Sequence, residues 1–117
     1  MFCECSSLSD IKGLEKWDVS NGNNFSGMFY WCMQLSDITP LQNWNVSNGN
    51  DFNRMFFRCW SLSDIKPIQN WNVSNGKNFE GMFHNCSSLD IKPLEKWNIS
   101  KKNFESMFKE RVQISII

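Results

Sequence analysis

One unit is written four times along the 117 residues of this chain, and nothing else limits its fold as much. Leu8-Ser-Asp-Ile11 recurs as Leu35-Ser-Asp-Ile38 and Leu62-Ser-Asp-Ile65, with Leu89-Asp-Ile91 as a shortened fourth copy. Trp17, Trp44, Trp71 and Trp97 follow at intervals of 27, 27 and 26 residues. The pairs Met28-Phe29, Met55-Phe56, Met82-Phe83 and Met107-Phe108 follow at 27, 27 and 25. A period of this length is the signature of a solenoid, because one coil cannot bury its apolar face alone and must stack on its neighbours. The expected organisation is a single repeat domain over residues 1–108, in coils of about 1–27, 28–54, 55–81 and 82–108, followed by a non-repeat tail at 109–117.

Within one unit, Phe25, Met28, Phe29 and Cys32 fall at i, i+3, i+4 and i+7, the stripe of a short helix with Asn23 or Asn24 as its N-cap. Trp17-Asp-Val19 alternates with period two and reads as a short strand. Ser20-Asn-Gly22, Ser47-Asn-Gly49 and Ser74-Asn-Gly76 are turn chemistry, since Asn and Gly tolerate positive φ. The same Asn-Gly pairs are also a hairpin signal. The fourth copy speaks against that alternative, because Ser100-Lys-Lys102 has no Gly and one residue fewer. Pro40, Pro67 and Pro93 mark an irregular corner. Nine positions per coil stay apolar: Leu8, Ile11, Leu14, Trp17, Val19, Phe25, Met28, Phe29, Cys32 and their counterparts. They predict ladders of like residues through a continuous core.

The resemblance rests on the run Trp-x-x-Ser followed by Met-Phe-x-x-Cys-x-x-Leu. It is similar to the repeat of about 26 residues in BspA-like leucine-rich-repeat surface proteins, from Met1 to about Phe108. Leu14-Glu-Lys-Trp17-Asp-Val19-Ser-Asn21 also approximates a leucine-rich-repeat strand. The chain departs in carrying Gly22, Gly49 and Gly76 where that family usually has Val, and one extra residue between Leu and Trp. The resemblance implies an α/β, leucine-rich-repeat-like solenoid of short strand, turn and short helix. It also implies a cell-surface or secreted interaction scaffold, with adhesion as an associated role, no catalytic activity and no functional residues to transfer.

Charge adds little, because twelve Lys and Arg balance twelve Asp and Glu, so no global field steers the chain toward nucleic acid. Residues 1–6 lack the basic and apolar regions of a secretory signal. The longest apolar run, 28–33, is far short of the roughly 20 residues of a membrane span. The chain itself therefore carries no address.

Three sets of residues have chemical potential. Cys5, Cys32, Cys59 and Cys86 repeat every 27 residues. They admit a ladder of buried thiols, disulfides between neighbouring coils, or a metal site, the last disfavoured because short Cys pairs are missing. Cys3 stands outside the ladder as the most reactive thiol. Asp10, Asp37, Asp64 and Asp90 form a second ladder, either a cation site or solvated charges offset by Lys12, Lys66 and Lys92. His84, the single histidine, has no paired nucleophile, so no catalytic residue, cofactor or metal ligand is assigned. Five Asn-x-Ser sequons, at Asn24, Asn45, Asn72, Asn85 and Asn98, carry meaning only on a eukaryotic secretory route.

The copies differ most around each Cys. Tyr30-Trp31, Phe57-Arg58 and His84-Asn85 precede it, and Met33, Trp60 and Ser87 follow it. Core-facing side chains would be held constant, so these are expected to face outward. Exposed aromatics with Arg are the makeup of binding hot spots. Tyr30, Trp31, Met33, Phe57, Arg58, Trp60, His84 and Asn85 are accordingly the candidate partner-binding residues, drift on an unselected surface being the plainer alternative. The expected function is a non-enzymatic scaffold for a protein or cell-surface ligand, without nucleic acid or a membrane span. A structural spacer is the other reading. The start at Met1-Phe2 in mid-repeat and the uncapped tail suggest self-association through terminal coils, or a fragment of a longer array.

Overall fold

The chain is described here from a computed structural model that covers residues 7–86 and 89–109. Expectations placed on Cys3, Cys5, the Met1-Phe2 start and the tail beyond Lys109 lie outside the described residues. Successive copies lie against one another, but each copy is built from turns. The described residues contain short 3-10 helices at Leu14–Lys16, Thr39–Leu41, Lys66–Ile68 and Lys92–Lys96. They contain one α-helix, α1, at Lys101–Ser106, capped by the Ser100 side chain on the Asn103 amide. Parallel pairing is confined to isolated bridges joining Asn24 to Asp51 and Asp51 to Asn78. The expected α/β coil does not form: among the described residues there is no sheet, and a solenoid of strand, turn and helix is not what these copies make.

The segment expected to be helical shows why. From Phe25 to Cys32 the backbone amides point alternately in two directions. Phe25, Gly27, Phe29 and Trp31 donate to the carbonyls of Asp51, Asn53, Met55 and Phe57 in the next copy, at 2.6–2.8 Å. Met28, Tyr30 and Cys32 donate back three residues within their own copy, and the Ser26 amide reaches the Asn24 side chain. Copy two repeats the scheme from Phe52 to Cys59, against Asn78, Glu80, Met82 and His84. Every amide in these two segments has a partner, as buried backbone requires. A helix would send all of them to i−4. Left-handed residues prevent that every fourth position: Gly27 and Trp31, Arg54 and Arg58, Gly81 and Asn85.

Asp and Asn side chains shape the remaining corners. Asp10, Asp18 and Asn24 each accept from the amide two residues on, as do Asp37, Asn45 and Asp51, then Asp64, Asn72 and Asn78. These are Asx-turns. Pro40, Pro67 and Pro93 sit in the first turn of their 3-10 helices, where a missing N–H costs nothing. Trp17 is extended but belongs to no strand. At the Trp corner the rings of neighbouring copies stack with 6.5 Å between their centroids. The indole N–H joins the copies there. Trp44, Trp71 and Trp97 donate to the carbonyls of Leu14, Leu41 and Ile68 in the preceding copy at 2.7–3.0 Å.

The core lies between these hydrogen-bonded edges. All nine apolar positions are buried in copies two and three. Phe25, Phe52 and Phe79 stack as one column, with 5.7 and 5.4 Å between ring centroids, and Phe29, Phe56 and Phe83 as another, at 5.5 and 5.6 Å. The first column explains the Asn-Gly pairs. Gly22, Gly49 and Gly76 do not adopt positive φ, contrary to the turn chemistry expected of them. A Cβ on Gly49 would lie 2.6 Å from the tip of Phe52 and 3.0 Å from the Phe25 ring, so glycine is there to admit the rings. Gly49→Ala should therefore lower stability by about 1–3 kcal/mol in urea unfolding, the usual cost of overpacking; an unchanged midpoint would contradict this packing.

Candidate functional site

The chemically capable ladders are largely occupied by the fold. Cys32, Cys59 and Cys86 are buried thiols, with no disulfide among them. The Sγ–H groups of Cys59 and Cys86 donate to the carbonyls of Phe29 and Phe56 at 3.2 Å. Burial pushes the Cys59 thiol far up, the neighbouring thiols adding to it, and raises Cys86 to about 12. Neither is a thiolate near neutral pH, which argues against a nucleophile or a metal ligand. Each Asp of the second ladder accepts a backbone amide. Asp37 is held below its ordinary value by the Thr39 hydroxyl and then by the Thr39 amide. Among the described residues no three His, Cys, Asp or Glu side chains gather where they could hold a metal ion.

The candidate strip is only partly at the surface. Tyr30, Phe57 and His84 stack as a third aromatic column, with ring centroids 5.0 and 5.4 Å apart. Phe57 is buried at 2% exposure and is not the surface residue expected from its variation between copies. Tyr30, Trp31, Met33, Arg58 and His84 are half-buried, whereas Trp60, at 50%, and Asn85 are exposed. The Met33 carbonyl accepts from the Ser61 hydroxyl, and Nδ1 of His84 stands 3.0 Å from the Phe108 carbonyl, so that both help tie copies together.

What distinguishes copy two is a pair of arginines. Arg54 takes the left-handed position that Gly27 and Gly81 hold in the other copies, with φ of 54°. Arg58 takes the one held by Trp31 and Asn85, with φ of 59°. A side chain costs roughly 1–2 kcal/mol there. The guanidinium of Arg58 lies 4.9 Å from the Trp31 ring centre and 5.4 Å from that of Phe57, and the Arg54 guanidinium lies 5.6 Å from Phe57. Tyr30 meets Trp31 edge to face at 5.7 Å. The strip read from the sequence omits Arg54, although the series Gly27, Arg54, Gly81 already singles it out.

Residues 1–116 match the family described as "Mycoplasma protein of unknown function, DUF285". The chain belongs to this family. Membership corrects the resemblance to BspA-like leucine-rich-repeat proteins, and with it the leucine-rich-repeat expectation drawn from that resemblance. No curated protein and no solved structure matches the chain. In this member of DUF285 no helix among the described residues is long and apolar enough to cross a membrane.

The thiols give a pH test. An unfolded Cys loses its proton near pH 8.5, whereas the folded Cys59 and Cys86 keep theirs well above it. Above pH 8.5 the unfolded chain thus binds fewer protons than the native one, and stability falls as pH rises. The thiol contribution is complete below about pH 8 and falls by up to ~1.4 kcal/mol per pH unit per thiol above it. Urea midpoints from pH 7.5 to 10 should decline, and less steeply in Cys59→Ala. A slope unaffected by that substitution would refute the assignment.

Proposed function

We propose that the chain is a non-enzymatic scaffold for protein–protein interaction, and that its contact face is the outer edge where copies one and two meet, around Trp31, Arg58 and Trp60. One observation carries this reading: large side chains occupy left-handed positions at Trp31 and Arg58, where Asn85 would serve at lower cost. Strain of this kind, held in place by surrounding structure, clusters where side chains bind. Trp60 supplies exposed aromatic surface two residues beyond Arg58. Arg and Trp dominate binding hot spots. The absence of catalysis is part of the proposal, supported by the engagement of the Cys and Asp ladders with backbone groups.

The test exchanges copy-specific residues for those of copy three. A Trp31→Asn, Trp60→Ser variant carries what stands at Asn85 and Ser87, and the backbone at residue 31 suits Asn. The variant should unfold at or above the native temperature and lose the proteins that the native chain retains from its own cell extract. Retention of the same proteins by the folded variant would remove this face from the function.

A further inference from the structure

Arg58 is unusual in where its charge goes. Its guanidinium lies against the rings of both Trp31 and Phe57, and Nε is buried without a hydrogen-bond partner. No carboxylate of the described residues pairs with it. An arginine pressed against aromatic rings keeps the outer edge of its planar fork for an acceptor, with little freedom left to lose on binding. The Arg54 guanidinium lies 5.6 Å from the centre of the same Phe57 ring. A half-buried arginine with no carboxylate partner among the described residues, set beside Trp31 and Phe57 with Tyr30 against Trp31, is complementary to an anionic group borne on an apolar chain.

We propose that Arg58 is a preset anchor for a carboxylate of the partner protein, so that the segment docking on this face is acidic. The proposal rests on the interaction reading above and names the partner's chemistry. One guanidinium, in a chain of zero formal net charge, suits one carboxylate better than a polyanion. Aromatic neighbours suit a peptide segment better than a small free anion. The bidentate fork explains Arg rather than Lys at this position. The left-handed backbone, in turn, fixes the fork's direction before any partner arrives.

The experiment uses immobilised full chain and three pools of capped twelve-residue peptides. The first pool carries Glu and Asp at fixed positions, the second Gln and Asn there, and the third phosphoserine. The native chain should retain the acidic pool about tenfold or more over the amide pool, as a charged hydrogen bond predicts. Arg58→Asn, which installs the residue found at Asn85, should fold as well as the native chain and lose that preference. Arg58→Lys should keep only a minor part of it, since an ammonium offers no fork. Equal retention of acidic and amide pools by the native chain, or an undiminished preference in Arg58→Asn, would overturn the anchor and leave the scaffold reading intact. Stronger retention of the phosphoserine pool would overturn it in favour of a phosphate ligand. Retention of no pool would overturn the anchor as well, and the Trp31→Asn, Trp60→Ser comparison then decides the scaffold reading separately.

Discussion

Hydrogen bonds between copies, made by backbone amides that alternate with local turns, hold the copies of this chain in register. Turn-built chain ordinarily has to leave its polar backbone in water. Here a left-handed residue at every fourth position turns alternate amides, its own included, toward the next copy, which supplies the carbonyls. Once those bonds fix one copy over another, like side chains fall into register. The Phe columns and the Tyr30, Phe57 and His84 column follow from that register. Side-chain donors then close the sides where the backbones do not meet. Trp indoles reach the preceding copy on one side. Elsewhere Asn48 and Asn75 donate to the carbonyls of Ser20 and Ser47 at 2.7 Å.

The core was legible in the sequence because a fixed repeat leaves few other ways to bury nine apolar positions. The local structure was not. Turns that recur every four residues also place apolar side chains at i, i+3, i+4 and i+7. Over eight residues that differs too little from the ~100° per residue of a helix to be told apart. Gly49 looked like a turn residue because its clash with Phe52 exists only after the copies have stacked. The Asp ladder carried a readable signal, since Asp and Asn recur two residues before an amide that needs an acceptor. Read as charges, those residues suggested a cation site or a solvated ladder offset by lysines; read as acceptors, they are the corners of the fold.

The candidate face shows the reverse limit. Variation between copies pointed to residues free of the core, yet Phe57 varies and is buried, because a column of mixed aromatic rings stacks as well as a uniform one. Variation at the left-handed positions carries more weight. The repeat demands a conformation there that Gly and Asn supply most easily, so Trp31, Arg54 and Arg58 stand out against a local preference rather than in its absence. Membership of DUF285 assigns no activity, which leaves these departures from the repeat as the strongest pointer to function.

The alternating backbone bonds between copies are best tested by scalar couplings across hydrogen bonds in the isotope-labelled protein. The amide nitrogens of Phe52, Arg54, Phe56 and Arg58 should couple to the carbonyl carbons of Asn78, Glu80, Met82 and His84. Couplings from these amides to carbonyls four residues earlier in their own copy would instead place a helix in the segment and contradict the stack of alternating turns.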